Sequence, residues 1–246
     1  MQVIALFGPT GVGKTALALA LARRLRARGE DPVAVSADAL QVYEGLQTLT
    51  GVASPAEQAQ LEHRLVGCVP LDATFSAGQY AKLAHAEIDR LLQTGRRPIV
   101  VGGTGLYLRA ALGELDFKRP PPDKPSQLWS EDMRRPTLLI GLTMERAALY
   151  ARIDARVDEM IAAGAREEVL RANGAGASAT ARKALGFEEL LAGDAEAMKR
   201  HTRNYARRQL TWMRKMAGVQ PIDVTGRDPH DVTREIVERH LDSPAS

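Results

Sequence analysis

A glycine-rich loop, GPTGVGKT at residues 8–15, constrains the fold of this 246-residue chain more than any other feature. Gly8, Gly13, Lys14 and Thr15 fill the fixed positions of the pattern G-x-x-x-x-G-K-[ST]. In that pattern the backbone N–H groups point at phosphate oxygens, and the following helix N-terminus adds partial positive charge. Lys14 supplies a point charge, and the Thr15 hydroxyl can bind Mg²⁺. We therefore predict a phosphate-binding loop between a strand and a helix.

Strand-like apolar runs alternate with helical segments along the chain. This order predicts a P-loop-type α/β fold, in which helices flank a parallel sheet and the C-terminal portion is helical. The helical C-terminal region runs from Met144 to Met216 and is interrupted near Asn173–Gly176. The predicted strands are Val3–Phe7, Pro32–Ser36, His63–Val69, Arg97–Val101 and Thr137–Leu142, the predicted helices are Lys14–Arg28 and Ser76–Gln93, and Ile222–Val224 and a helix from Pro229 to Leu241 are expected at the periphery.

A proline-rich stretch divides the chain. Lys118–Pro125 holds four prolines in eight residues, which excludes regular structure. We predict a P-loop α/β core at residues 1–116, a linker at 117–136, and the remaining core strand with the helical region at 137–246.

The composition favours a globular cytoplasmic protein. Hydrophobic residues make up 45% of the chain, which is enough for a core. No apolar run approaches the roughly 20 residues that span a bilayer, and the N-terminus does not have the pattern of a signal peptide. The single cysteine, Cys68, cannot close an internal disulfide, and the five histidines lack the spacing of metal ligands. We expect a cytoplasmic location and no membrane partner.

Basic residues are concentrated in one segment near the C-terminus. Residues 199–215 contain seven lysines and arginines and no acid. A surface of one charge sign attracts a polyphosphate or a nucleic acid, although a solvated helix face has the same composition.

Asp38 is the acidic residue best placed beside the glycine-rich loop. It follows the second predicted strand, where the carboxyl ends of adjacent parallel strands face the ligand crevice. A carboxylate there can accept a proton from a nucleophile, or it can merely cap a short helix that starts at this point. A typical nucleotide hydrolase needs an acid after a later strand to hold Mg²⁺, but Pro98–Val101 is followed by glycines and a threonine.

The chain closely resembles the tRNA dimethylallyltransferases, also called tRNA isopentenyltransferases, in four motifs that occur in the same order. In that family the loop holds the diphosphate of dimethylallyl diphosphate, and the acceptor is the exocyclic amine of the adenosine 3′ to the anticodon. The motifs cover most of the chain and are GPTGVGKT at 8–15, SADALQVYEG at 36–45, VGGTGLYLRAAL at 101–112 and TRNYARRQLTW at 202–212.

The resemblance implies a role for each matching residue. Asp38 is the general base, Thr104 helps to place the amine and its base, and Lys14 completes the catalytic set. Thr15 is the protein ligand of the Mg²⁺ cofactor. The implied diphosphate-binding residues are Gly8, Thr10, Gly11, Val12, Gly13, Lys14, Thr15, Arg203 and Arg208, and the implied tRNA-binding residues are Asp38, Ala39, Leu40, Gln41, Thr104 and Arg207.

The expected partners are the anticodon stem-loop of tRNA and dimethylallyl diphosphate, bound by a monomer. Tyr205, Gln209 and Trp212 are spaced to share one helix face, which we expect to lie in the core rather than to stack on bases.

The chain departs from the family in one place. Family members usually carry a helical insertion after the VGGTGLYLRAAL motif that clasps the anticodon stem, whereas only residues 117–136 stand there in this chain. The departure keeps three alternatives open: an adenylate dimethylallyltransferase that acts on free AMP, a small-molecule kinase with ATP in the loop, and an RNA-binding relative without turnover.

Overall fold

A computed structural model describes residues 1–117 and 127–242. The predicted linker segment Lys118–Pro125 thus lies outside the described residues, and the division into three parts remains a prediction.

Six parallel strands form one sheet in the described residues, in the order β3-β2-β4-β1-β5-β6. The strands are β1 (Val3–Phe7), β2 (Pro32–Ser36), β3 (His63–Arg64), β4 (Arg97–Gly102), β5 (Thr137–Thr143) and β6 (Gln220–Asp223). The helices are α1 (Lys14–Arg26), α2 (Gln47–Thr50), α3 (Pro55–Gln60), α4 (Ala77–Gln93), α5 (Gly105–Leu112), α6 (Arg146–Ala162), α7 (Ala165–Gly174), α8 (Phe187–Leu191), α9 (Ala195–Lys215) and α10 (Pro229–His240), with single 3-10 turns at Gln127–Trp129 and Ala181–Lys183.

The central strand β1 is buried on both faces, as the apolar sequence of a parallel strand requires. Ile4 and Leu6 pack with residues of α1 and α10, whereas Val3, Ala5 and Phe7 pack with residues of α4 and α5. β1 pairs with β4 on one side and with β5 on the other. The residues after 136 therefore complete the sheet that the N-terminal residues begin.

Most predicted elements are confirmed, but the third strand is much shorter than expected. Only His63 and Arg64 pair with β2, and Val69 makes a single bridge to Tyr43. The chain leaves the extended conformation between them because Leu65 has a φ of 60°. The predicted helix Ser76–Gln93 is confirmed as α4, and Ser76 caps it through a reciprocal capping box with Gln79.

The short final strand β6 lies at the sheet edge beside β5, and α10 packs against α1, so the C-terminal segment is peripheral as expected. Within the described ranges, no helix has the length and apolar character needed to cross a bilayer.

Candidate active site

The glycine-rich loop joins the end of β1 to the start of α1, as predicted. Gly11 and Gly13 have φ values of 81° and 100°, which side chains with a Cβ rarely adopt. The Lys14 ammonium folds back over the loop and donates hydrogen bonds of 2.9 Å to the carbonyl oxygens of Gly8 and Pro9. The loop thus holds its lysine in place with protein groups alone.

The ammonium of Lys14 has an unusual electrostatic environment. Burial, and after it the positive charge of Arg156, lower its pKa to about 8, while the carboxylate of Asp38 acts in the opposite direction. A poorly solvated cation beside another cation is a favourable partner for a diphosphate.

Two arginines of α6 lie beside the loop, and the sequence analysis did not identify them. A Cβ on Gly13 would lie 3.3 Å from Nη2 of Arg152, so this guanidinium contacts the loop backbone. Arg156 lies one turn later, donates a hydrogen bond of 3.4 Å to the Gly51 carbonyl, and acts electrostatically on Lys14. Arg152 and Arg156 are four residues apart and therefore lie on one face of the helix, which was the available signal in the sequence. The seven basic residues at 199–215 gave a much stronger signal of positive charge.

The predicted arginines of α9 differ in their contacts. Arg203 is bound to Asp154 of α6 through hydrogen bonds of 2.5 and 2.7 Å. Arg208 is exposed and lies over the ring of Tyr205, 5.5 Å from its centroid. Arg207 is also exposed and donates a hydrogen bond to Asn204. Arg208 is the arginine of this set that touches a residue of the site directly.

Asp38 follows β2 and lies in a turn rather than at the start of a helix. Its Oδ1 accepts hydrogen bonds from the backbone N–H groups of Leu40, at 2.9 Å, and Gln41, at 3.4 Å. Asp38 therefore does not cap a helix, although its carboxylate does stabilise the local turn. Oδ2 makes no hydrogen bond within residues 1–117 and 127–242, and the carboxylate acts electrostatically on Lys14 and Tyr205.

The residues after Asp38 form one wall of this crevice. The side-chain amide of Gln41 accepts a hydrogen bond of 2.8 Å from the Ser36 hydroxyl and donates to the carbonyl oxygens of Thr50 and Gly51. Gln41 therefore fixes the shape of the wall. Ala39 and Leu40 are partly exposed beside it.

The loop after β4 approaches the other two loops very closely, because it is built of glycine. A Cβ on Gly102 would lie 2.3 Å from the Ala37 carbonyl oxygen, so a larger residue would push β2 and β4 apart. The Thr104 hydroxyl lies 3.1 Å from the hydroxyl of Tyr205 on α9. Burial raises the pKa of Tyr205 to about 12, and Asp38 contributes to the shift. Tyr205 thus remains a neutral hydrogen-bonding partner for Thr104.

Gln209 connects the two glycine loops, which the sequence analysis did not foresee. Its Oε1 accepts a hydrogen bond of 2.8 Å from the Thr10 N–H, and its Nε2 donates one of 2.8 Å to the Gly103 carbonyl. The residue is buried, as expected for its helix face, but Tyr205 and Trp212 of the same face are only half-buried. This face packs on the site loops and not only on the core.

The residues around Thr15 fit Mg²⁺ that is shared with a diphosphate. Thr15 lies in the first turn of α1, and its hydroxyl makes no hydrogen bond in the part of the chain that the structure describes. The same part contains no group of three or more histidine, cysteine or acidic residues that could hold a metal ion alone. Mg²⁺ commonly keeps several waters and binds through few protein oxygens together with substrate phosphates.

Known proteins resemble this chain in both sequence and structure. The family model described as "IPP transferase" matches residues 41–135 and 123–216. The tRNA dimethylallyltransferase of Geobacillus thermodenitrificans is 32% identical over 98% of this chain and 96% of its own length. That of Rhodospirillum centenum is 38% identical over 86% of this chain and 88% of its own length.

A solved structure shows the same fold. The tRNA isopentenylpyrophosphate transferase of Bacillus halodurans superposes with a TM-score of 0.83 at 28% identity, covering 96% of this chain and 94% of that one. The alignment with the Geobacillus protein spans 307 positions. That exceeds the 246 residues of this chain, so the relative carries residues without a counterpart here. The chain belongs to the tRNA dimethylallyltransferase family, the IPP transferases, and is a compact member of it.

Proposed function

We propose that the chain transfers a dimethylallyl group from dimethylallyl diphosphate to the exocyclic amine of the adenosine 3′ to the anticodon in tRNA. One arrangement carries the proposal: the loop after β4 contacts both the residue before Asp38 and the ammonium of Lys14, since a Cβ on Gly102 would lie 2.3 Å from the Ala37 carbonyl oxygen and one on Gly103 would lie 3.3 Å from Lys14 Nζ. A base is therefore close to the group that holds the leaving diphosphate.

The loop and its cations form the donor side of the proposed site. The backbone N–H groups of residues 11 and 13–15 and the ammonium of Lys14 bind the diphosphate, and Arg152 and Arg156 add positive charge. When the allylic C–O bond breaks, the diphosphate takes the electron pair and becomes more negative. The fixed cations stabilise that charge as it develops, which lowers the barrier. The Thr15 hydroxyl would hold Mg²⁺ together with the diphosphate, and the ion would supply further charge neutralisation.

Asp38 and Thr104 form the acceptor side. The adenine amine is a weak nucleophile because its lone pair is delocalised into the ring. As the new N–C bond forms, Oδ2 of Asp38 takes the proton from the amine, which is general-base catalysis. Thr104, held by Tyr205, orients the amine. The adenine has to leave the stem-loop to reach this pocket, at a cost of a few kcal/mol.

The exposed arginines of α9 supply the contacts to the RNA backbone. Arg207 and Arg208 are exposed on α9, and phosphate contacts there help to offset the cost of extruding the base. The relatives named above are tRNA enzymes, which disfavours the free-AMP and kinase alternatives. We place this activity in the cytoplasm, and the monomeric state remains a prediction.

A comparison of acceptors tests the proposed function. The purified chain, Mg²⁺ and dimethylallyl diphosphate are incubated in parallel with unmodified tRNA that carries the target adenosine, with AMP and with ATP. Prenylated adenosine is expected only in the tRNA, and mass spectrometry of the digested products detects it. Transfer to AMP alone would remove the tRNA assignment, and no transfer to any acceptor would remove the prenyl-transfer assignment.

A further inference from the structure

A groove along α9 contains both tryptophans of the chain. Trp129 and Trp212 are the only two in the sequence. Their ring centroids lie 4.7 Å apart, with the ring planes inclined at 52°. The groove that they line has a volume of about 500 Å³, and both rings are half-buried. Ring surface is therefore available in the groove.

The rest of the groove wall is basic and polar. Three cations line it, Arg207, Arg208 and Lys215, and the neutral residues Asn204 and Thr211 complete it. In the described residues these cations contact neutral groups: Arg207 binds Asn204, Arg208 lies over Tyr205, and Lys215 lies 5.6 Å from the Trp129 centroid. Within residues 1–117 and 127–242 no carboxylate pairs with these three cations, so the groove attracts an anion.

The groove begins at the acceptor loop. Trp212 packs so closely on Gly105 that a Cβ there would lie 2.4 Å from the indole ring. The preceding residue is Thr104, which contacts Tyr205 of the same helix. A nucleotide attached to an adenosine at Thr104 is thus within reach of the groove.

We propose that the groove binds a nucleotide of the single-stranded anticodon loop beside the acceptor adenosine. Its base stacks on the tryptophans, and its phosphate lies against the arginines. Aromatic rings beside cations are the usual means of holding single-stranded RNA without reading its sequence. The inference rests on the proposed function, which supplies the RNA. Trp129 lies in the 117–136 segment, so that segment contributes an RNA contact of its own.

Intrinsic fluorescence tests this proposal, because the groove contains every tryptophan of the protein. The full chain is titrated with an unmodified anticodon stem-loop RNA, and binding is followed in parallel by anisotropy of a dye on the RNA. Stacking is expected to quench the tryptophan emission as the RNA binds. The same RNA with abasic sites on both sides of the acceptor adenosine is expected to quench much less at saturation. Equal quenching by both RNAs, or saturated binding without quenching, overturns the proposal.

A pair of variants gives a second, independent test. Trp129→Leu removes one ring, whereas Trp129→Phe keeps an aromatic surface at the same position. Trp129→Leu is expected to raise the Kd for the stem-loop and the KM for tRNA at least about fivefold, as loss of base stacking does, and Trp129→Phe less. The KM for dimethylallyl diphosphate is expected to stay unchanged in both. A Trp129→Leu variant that binds RNA as the wild type does contradicts the proposal.

The groove proposal and the proposed function can fail independently, and the experiments distinguish the two cases. Prenylation of tRNA with the same KM in wild type and Trp129→Leu would contradict RNA binding in the groove and support the proposed activity. Quenching that depends on the flanking bases, without any product from tRNA, would contradict the proposed activity and support RNA binding in the groove.

Discussion

The negative charge of Asp38 affects the pKa of Lys14. Burial and Arg156 lower the pKa of Lys14 to about 8, and the Asp38 carboxylate opposes this shift. Below that pH the ammonium is charged and holds an anion, and above it the free protein loses this charge.

Affinity for the donor is therefore expected to depend on pH near the pKa of Lys14. The Kd for a non-reactive analogue of dimethylallyl diphosphate rises as the pH passes about 8. Asp38→Asn shifts this rise to lower pH, because it removes the charge that favours the protonated lysine. Calorimetric titration at several pH values measures both effects. A rise that begins only near pH 10, where an ordinary lysine titrates, would contradict the burial of this ammonium.

Asp38→Asn also tests the role of Asp38 as the base. The amide keeps the shape of the side chain but cannot take a proton, so turnover on tRNA is expected to fall at least about tenfold. At a pH well below 8, donor binding is expected to stay close to wild type. The matched control is Asp72→Asn, because Asp72 is exposed and makes none of the site contacts described above. Unchanged turnover in Asp38→Asn would reduce Asp38 to a residue that only stabilises its turn.

Helix α9 acts as one element on three parts of the site. Tyr205 contacts Thr104, Gln209 joins Thr10 to Gly103, and Trp212 packs on Gly105. The phosphate loop and the loop after β4 are thus held at a fixed separation by one helix, as the proposed transfer requires.

Gln209→Met is expected to weaken this connection. Methionine has a similar size but leaves the Thr10 N–H and the Gly103 carbonyl without their partner. A buried unpaired group costs about 1–3 kcal/mol, so the free energy of unfolding falls by about that amount and kcat falls with it. Denaturant unfolding and steady-state kinetics measure the two effects. Gln93→Met, at an exposed position that ends α4, is the control and changes neither.

The Geobacillus relative carries residues that this chain lacks, and under the proposed function we expect the exposed basic surface of the chain to provide more of the RNA binding. Residues of α9 form this surface. In the described residues Lys199 and Arg203 pair with carboxylates, whereas Arg207 and Arg208 contact neutral groups. Binding through such cations releases counterions from the RNA and is therefore sensitive to salt.

Charge reversal at Arg207 tests this surface. Arg207→Glu is expected to weaken tRNA binding and to make the dependence of log K on log salt less steep by about one phosphate contact. Filter binding at several salt concentrations gives the slope. Arg234→Glu introduces the same charge change at an exposed position of α10 and is expected to leave the slope unchanged. A wild-type slope in Arg207→Glu would show that Arg207 is merely solvated.

Local patterns were sufficient to predict the elements that carry the site. The phosphate loop, the capped helix α4 and the strands β1, β2, β4 and β5 were predictable because neighbouring residues decide them. The third strand was predicted too long, because the left-handed backbone at Leu65 ends it early. Leucine rarely adopts that conformation, and no local sequence pattern predicts it. The roles of the site residues remain predictions that the variants above test.

The sequence by itself determined the loop chemistry, the parallel α/β class and the family, because motifs and apolar periodicity are local properties. Only the tertiary structure decided which distant residues complete the loop. Gln209 lies 199 positions after Thr10, and Arg156 lies 105 positions after Gly51. Their contacts depend on how α6 and α9 pack against the sheet, and no pattern within either helix encodes that packing. For the same reason, the sequence predicted the phosphate-binding loop. It did not predict the two arginines of α6 beside the loop, the hydrogen bond of Gln209 to it, or the groove that contains the two tryptophans.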